Sequence, residues 1–328
     1  MKTYFILAAS LLAAVVLGLS PGVAQAVEIA SMDFTDPNND GELDGDSDGS
    51  GWDPDPRAFP WRADRDDSAI LQEGLSYTSP DGVQVNTATS LQIKCAPGTV
   101  GPDCAGSLGT SAHPQHIPGA GTFMMATRDL ASTHAEDEVY LSYLTKFEAG
   151  TEHFGDFIGW NYGTSLGSAP TVGMRANGEG PNDEDFFVRD RHPNYGWSST
   201  QLVVGDTYFV VGRLSKAESG PDKPYTSQEI WVNPVHGLPG AAPPPADAVS
   251  NFAATSTESE ISTISLFVAN WDFENNPDLG RVGPDEGRVG RLRIGTEWGD
   301  VVRPVPEPSS LILAVLGTVA LAGNRRRS

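Results

Sequence analysis

Apolar residues recur at every second position in short runs along most of this chain, and polar stretches rich in Gly, Pro, Asn and Asp separate the runs. In EVYLSYLTKF, Val139, Leu141, Tyr143 and Phe147 fall on one face, as a half-buried β-strand requires. Ile264, Leu266 and Val268 do the same in ISLFV, and in RLRIG the pattern turns Leu292 and Ile294 inward and Arg291 and Arg293 outward. TYFVVGRLS (207–215) and QEIWVNP (228–234) read as neighbouring antiparallel strands joined by the polar loop KAESGPDKPYT. Trp231 alternates against Ile230 and Val232, so it faces away from the core those two line. Runs of this kind predict about a dozen strands, an all-β chain folded as an antiparallel two-sheet jelly-roll sandwich. There is no internal repeat and no long helical period. The 36 glycines and 25 prolines serve as turns, because the apolar period survives between them. AAPPPADA (241–248) is too short to link domains and reads as a surface loop.

The alternation breaks at both ends, where continuous apolar runs predict a helix. At the N-terminus, Lys2, the stretch Phe5 to Leu19 and the small-residue site Ala24-Gln25-Ala26 follow the order of a secretory leader. The mature chain then starts near Val27, outside the cytoplasm. At the C-terminus, Leu311 to Ala322 are twelve apolar residues between Pro306-Glu307-Pro308 and Arg325-Arg326-Arg327. Twelve residues make about 18 Å of helix against a hydrocarbon core of about 30 Å. That is short for a permanent span. The three arginines resist translocation, so the segment predicts a temporary stop in the membrane with the body outside.

This ending resembles the PEP-CTERM sorting signal of bacterial exosortase systems. The carrying residues are Val305, Pro306, Glu307 and Pro308, the apolar helix, and Arg325, Arg326 and Arg327, in that order. The resemblance implies a processing partner, an exosortase-type membrane enzyme that cuts near Pro-Glu-Pro and passes the body to the cell surface. Three segments follow: a signal peptide over 1–26, a β-sandwich over 27–304 and a sorting signal over 305–328. The body resembles exported proteins with a concanavalin A-like, laminin-G-like sandwich. DGSGW (48–52), LSYT (75–78), VYLSYLTKF (139–147), FVVGRLS (209–215), EIWVNP (229–234) and LRIGTEWGDVV (292–302), read as a closing strand, carry that likeness. It implies a fold that hosts carbohydrate binders, adhesion modules and glycoside hydrolases alike.

Charge narrows the partners. The whole chain has 43 acidic and 21 basic residues, a net charge of −22. Without the two terminal signals 42 acids face 17 basic residues, a net charge of −25. Such a surface repels nucleic acid and anionic lipid and attracts divalent cations or basic partners. The two cysteines, Cys95 and Cys104 in KCAPGTVGPDC, are expected to form a disulfide around a small Gly/Pro loop in an oxidising compartment.

Catalytic signatures are weak. A laminarinase-type hydrolase needs carboxylates at alternate strand positions, about 5 Å apart for retaining chemistry. The nearest stretch is Glu136-Asp137-Glu138, where the next residue on the face of Glu136 and Glu138 is Tyr140. GLSPG (18–22) lies in the leader and GDSDG (45–49) in an Asp-rich loop, neither at the strand-to-helix elbow of an esterase. His113 and His116 in HPQH flank a proline and have no further ligands beside them.

Two binding signals remain. Asp36, Asn38, Asp40 and Gly41 fill places one, three, five and six of an EF-hand-like loop, with Asp44 at nine and Ser47 at twelve. A second register uses Asp44, Asp46, Asp48 and Gly49 and reaches Asp55 at twelve, with Trp52 at nine. The expected cofactor, if any, is calcium on this run. Trp160 and Trp197, in GWNYG and NYGWSS, have the polar, Gly-flanked setting of sugar-binding loops. The expectation is an exported surface protein, non-enzymatic, binding or organising extracellular polysaccharide. The alternatives are a polysaccharide-degrading enzyme of the same fold and a structural matrix protein without a specific ligand.

Overall fold

A computed structural model describes residues 28–34, 49–53, 62–63, 69–93, 122–147, 156–163, 169–175, 186–190, 194–203, 205–235, 241–251, 258–270 and 287–303. The leader, the acidic run Asp36, Asn38, Asp40, Asp44, Asp46 and Asp48, the pair Cys95 and Cys104, His113, His116, and the sorting signal from Val305 to Arg327 lie outside the described residues. Among the described residues, no helix is long and apolar enough to cross a membrane.

The described chain is all-β and antiparallel, with seventeen strands and one short helix. The surplus over a dozen comes from two- and three-residue strands too short to show a period. An eight-stranded sheet contains β1 (Glu28–Met32), β3 (Ala69–Glu73), β6 (Thr89–Ile93), β8 (Glu138–Phe147), β13 (Thr207–Lys216), β14 (Tyr225–Val232), β15 (Ala248–Asn251) and β17 (Gly287–Gly295). A seven-stranded sheet contains β2 (Arg62–Ala63), β7 (Thr122–His134), β9 (Asp156–Asn161), β10 (Thr171–Arg175), β11 (Phe186–Arg189), β12 (Tyr195–Trp197) and β16 (Ile261–Asn270). The chain changes sheet between β7, β8 and β9, and again between β12 and β13 and between β15, β16 and β17. These crossings make it a two-sheet sandwich with jelly-roll-type connections.

The core lies between the sheets where the sequence period places it. Val139, Leu141, Tyr143 and Phe147 from β8 meet Ile264 and Leu266 from β16, and Leu292 and Ile294 close the layer from β17. Val210 and Val232 pair across β13 and β14, confirming the predicted hairpin. Arg293 points out and donates to Glu28 at 2.6 Å. Arg291 departs from the expectation that it is solvated: it is buried, at φ 49°, within a register shift between Gly290 and Arg293. The extra residue of that bulge turns its guanidinium onto the Arg303 carbonyl.

A second apolar layer covers the outer face of the eight-stranded sheet. Tyr140 and Leu144 from β8, Phe209 and Val211 from β13 and Trp231 from β14 point there, opposite to the main core. The hairpin of β4 (Ser76–Thr78) and β5 (Gln84–Asn86) adds Leu75, Tyr77 and Val85. The helix α1 (Trp298–Val302) adds Trp298, Val301 and Val302. LRIGTEWGDVV is therefore not one strand, because the strand ends at Gly295 and the chain turns into α1. Asp300 Oδ2 accepts the Glu297 N–H at 3.0 Å, closing the helix start. A Cβ on Gly295 would lie 2.5 Å from the Asp300 Cβ, so only glycine permits the turn. Residues 241–246 are irregular, as expected of AAPPPADA, and the Pro244 carbonyl accepts the Trp231 indole N–H at 2.9 Å.

In DGSGW, Gly49 and Gly51 have φ of 90° and 80°, and a Cβ on either would sit 1.8–2.0 Å from a β1 carbonyl oxygen. Close backbone approach of this kind is a glycine-only arrangement. Ser50 bridges Ser31, and Trp52 donates its indole N–H to the Ser31 carbonyl at 3.0 Å. The Arg128 guanidinium lies 4.7 Å from the Trp52 ring centre. The motif is a clasp on the first strand.

Candidate functional site

The outer face of the seven-stranded sheet differs from the sealed face behind the other sheet. Strand alternation sends Ile158 and Trp160 of β9, Val172 and Met174 of β10, and Phe186 and Val188 of β11 into the core. The residues between them point the other way. Register aligns these into a row of polar positions across six strands: Thr127, Ser265, Asn161, Thr171, Arg189 and Tyr195. The neighbouring row holds Gly159, Gly173, Phe187 and Trp197.

The polar row is hydrogen-bonded toward the sheet edge. Thr171 Oγ1 donates to Asn161 Oδ1 at 2.6 Å and accepts from Arg189 Nε at 3.3 Å. Arg189 Nη1 reaches the Tyr195 hydroxyl at 3.2 Å. Ser265 donates to the Gly163 carbonyl at 2.6 Å. Asn161, Thr171 and Arg189 are buried, and burial lowers the Arg189 pKa from its ordinary value. Among the described residues, Asn161 Nδ2 is buried without a hydrogen-bond partner, which costs about 1–3 kcal/mol.

The row ends at β12, a three-residue edge strand, where Tyr195 and Trp197 are both half-buried. Their rings stack at 5.0 Å with planes 18° apart. The buried Phe187 ring supports both, 5.4 Å from Tyr195 and 5.5 Å from Trp197. A Cβ on Gly173 would stand 3.2 Å from Phe187 Cζ, so glycine there leaves room for that ring. Gly196, between the two rings in sequence, would place a Cβ 2.4 Å from the Val249 carbonyl. Its bareness lets the edges of the two sheets close against each other.

Of the two tryptophans singled out from sequence, the structure separates the roles. Trp160 is fully buried, 6.1 Å from Tyr143 and 6.4 Å from Phe34, ring centre to ring centre. It belongs to the core and offers no face to a sugar. The cause is its place in mid-strand, where alternation turns Trp160 inward and Asn161 outward. Trp197 sits on the platform with Tyr195. Sequence reading missed Asn161, Thr171, Arg189 and Tyr195; period-two spacing in DFIGWN, TVGMR and FFVR carries the signal for the first three, whereas YGW is too short to show it.

The carboxylates considered for catalysis are engaged elsewhere. Glu138 accepts from Tyr140 at 2.8 Å and pairs with Arg213 at 3.0 Å, and Arg213 also binds Glu229. Asp137 accepts the Gly220 N–H at 3.0 Å, and Glu136 lies 3.3 Å from His134 Nδ1. Among the described residues no group of three or more His, Cys, Asp or Glu is gathered to hold a metal ion. The polar row itself contains amide, hydroxyl and guanidinium groups, suited to hydrogen bonding and to fixing an aromatic surface.

Residues 304–327 match the PEP-CTERM protein-sorting motif. The chain thus carries the mark of an exported protein sorted to the cell envelope by an exosortase-type enzyme. No curated protein matches the sequence. The chain is similar in structure to the globular domain of T. cruzi calreticulin, with 10% identity, 81% of this chain and 95% of that one covered, and a TM-score of 0.37. It is also similar to a protein with a galectin-like fold from Bacillus subtilis, with 9% identity, coverage of 83% and 98%, and a TM-score of 0.36. A third is an endo-beta-1,4-glucuronan lyase from the fungus Trichoderma reesei, with 12% identity, coverage of 75% and 98%, and a TM-score of 0.38.

Proposed function

We propose that this is a non-catalytic surface protein that binds extracellular polysaccharide on the Tyr195–Trp197 platform. The carrying observation is the stacked, half-exposed aromatic pair on an edge strand, held from beneath by Phe187 and by the Arg189–Thr171–Asn161 chain. Aromatic rings give a large contact area for little lost rotamer freedom, and a buried support keeps that area rigid before the ligand arrives. Arg189 acts as a positioning residue, since its contact is with the Tyr195 hydroxyl.

Calcium on the Asp36, Asn38, Asp40, Asp44, Asp46 and Asp48 run is part of this reading, as a support for the loop that precedes the DGSGW clasp. Isothermal titration with millimolar calcium tests it, and absence of heat rejects the metal. A glycan array combined with a reducing-sugar release assay tests the main reading. Binding without release is the expected outcome. Release of sugar ends makes the protein a hydrolase, and neither signal makes it a structural matrix protein.

A further inference from the structure

The aromatic platform lies in an uncharged stretch of a strongly charged chain. Residues 194–205, which include Tyr195 and Trp197, contain no Asp, Glu, Lys or Arg, although the whole chain has 43 acidic and 21 basic residues. Asn194 and Ser199, which flank the two rings in sequence, are exposed. Gly196 closes against β15, and that strand turns Val249 and Asn251 to solvent.

The cation next to the rings is withheld from a ligand. Arg189 lies across from Tyr195 on β11, with its guanidinium 5.8 Å from the Tyr195 ring centre. It is only 1% exposed, and it donates to Thr171 through Nε and to the Tyr195 hydroxyl through Nη1. Asp190, the next residue, is also buried. Arg175 is half-buried on β10, two strands in from the edge, or about 10 Å. What the platform offers is therefore ring surface with neutral amide and hydroxyl groups beside it.

That chemistry selects among polysaccharides. The face of an aromatic ring carries the negative part of its quadrupole, so it attracts polarised C–H bonds and repels carboxylate or sulfate oxygens. A hexopyranose with equatorial substituents presents a flat patch of axial C–H bonds of this kind. Tight recognition of a carboxylate or sulfate relies on exposed guanidinium or ammonium donors, and 194–205 has none. The net charge of −22 adds a repulsion for any anionic polymer, felt over a Debye length of about 8 Å at physiological ionic strength.

We propose that the Tyr195–Trp197 platform takes a neutral polysaccharide of hexopyranose units with equatorial substituents and discriminates against uronate- and sulfate-bearing polymers. This names the ligand class of the binding reading and rests on it. Stacking and neutral hydrogen bonds at Asn194 and Ser199 supply the attraction, and neither depends on salt. The repulsion of an anionic polymer is electrostatic and weakens as salt screens it.

The test titrates the full chain with soluble neutral glucans, mannans and galactans, each paired with its own C6-oxidised polyuronate. The two members of a pair differ only in a hydroxymethyl group against a carboxylate. Parent and Trp197→Ala are compared at about 20 mM and about 500 mM NaCl, which move the Debye length from well above to well below 8 Å. The expected result is a neutral polymer bound by the parent with a Kd constant to within about twofold between the two salts, and its polyuronate bound at least about tenfold more weakly at the lower salt. Trp197→Ala should lose the neutral polymer. A polyuronate bound as tightly as its neutral partner, with affinity lost in Trp197→Ala, overturns the neutral class and leaves the platform standing. No polymer bound, or equal binding by parent and Trp197→Ala, overturns the platform and the ligand class together.

Discussion

The two sheets turn opposite kinds of surface away from their shared core. Behind the eight-stranded sheet, Tyr140, Leu144, Phe209, Val211 and Trp231 are sealed by a hairpin and a helix of the same chain. On the seven-stranded sheet, the corresponding outward positions are Asn161, Thr171, Arg189 and Tyr195. Burying apolar groups stabilises a fold at about 25 cal/mol per Å², whereas burying a guanidinium and an amide costs free energy unless they are bonded. The first face is thus explained by stability alone. The second carries groups that stability does not select, bonded in series toward two accessible rings, and that is where a binding role is read.

The contrast can be broken most severely at Trp298. It packs at 5.0 Å on Trp231 and 6.2 Å on Tyr140, so Trp298→Ala is expected to lower stability by about 3–5 kcal/mol. Denaturant unfolding measures the loss, and glycan affinity should remain unchanged wherever the variant is folded. Next in size is Arg189→Ala, which removes the donor to both Thr171 and Tyr195. A loss of about 1–3 kcal/mol of stability is expected together with weaker binding, and Arg189→Lys restores less than half of the affinity because one ammonium cannot hold both partners. Trp197→Ala reverses the pattern: stability within about 1 kcal/mol of the parent, and affinity reduced at least about tenfold, or 1.4 kcal/mol.

The smallest effect is a pH dependence of the sealed face. Burial, assisted by the charge of Asp81, raises the Tyr77 hydroxyl from 10.0 to about 12. The folded state therefore keeps its proton when the unfolded state has lost it. The stabilisation is complete below pH 10 and is lost as pH rises toward 12. Circular dichroism melts at pH 9 and pH 11 should show a lower Tm at the higher pH, and Tyr77→Phe should remove that residue's share of the difference.

The main core was legible because its strands are long. Val139, Leu141, Tyr143 and Phe147, and again Leu292 and Ile294, repeat often enough for the period to fix their face. The sealed outer face was not legible, since LSYT and the five-residue helix Trp298–Val302 repeat too few times for either period to stand out. Arg291 escaped for a different reason: a bulge inserts one residue and shifts the alternation by one place. At the candidate site, Gly and polar neighbours gave Trp160 the look of a loop residue, while its true constraint was pairing with Val172 and Leu266 on either side. Trp197 shared the same local composition but lies on an edge strand. Composition alone does not distinguish a centre strand from an edge, because that distinction is made by partners far away in sequence.

Paired titrations decide whether the Tyr195–Trp197 pair forms the binding surface. The glycan retained by the parent chain on an array is titrated into the parent, Trp197→Ala and Val203→Ala, the last an exposed residue of the segment ahead of β13. Affinity falling at least tenfold in Trp197→Ala alone is the predicted result. Equal affinity in all three proteins would contradict the account.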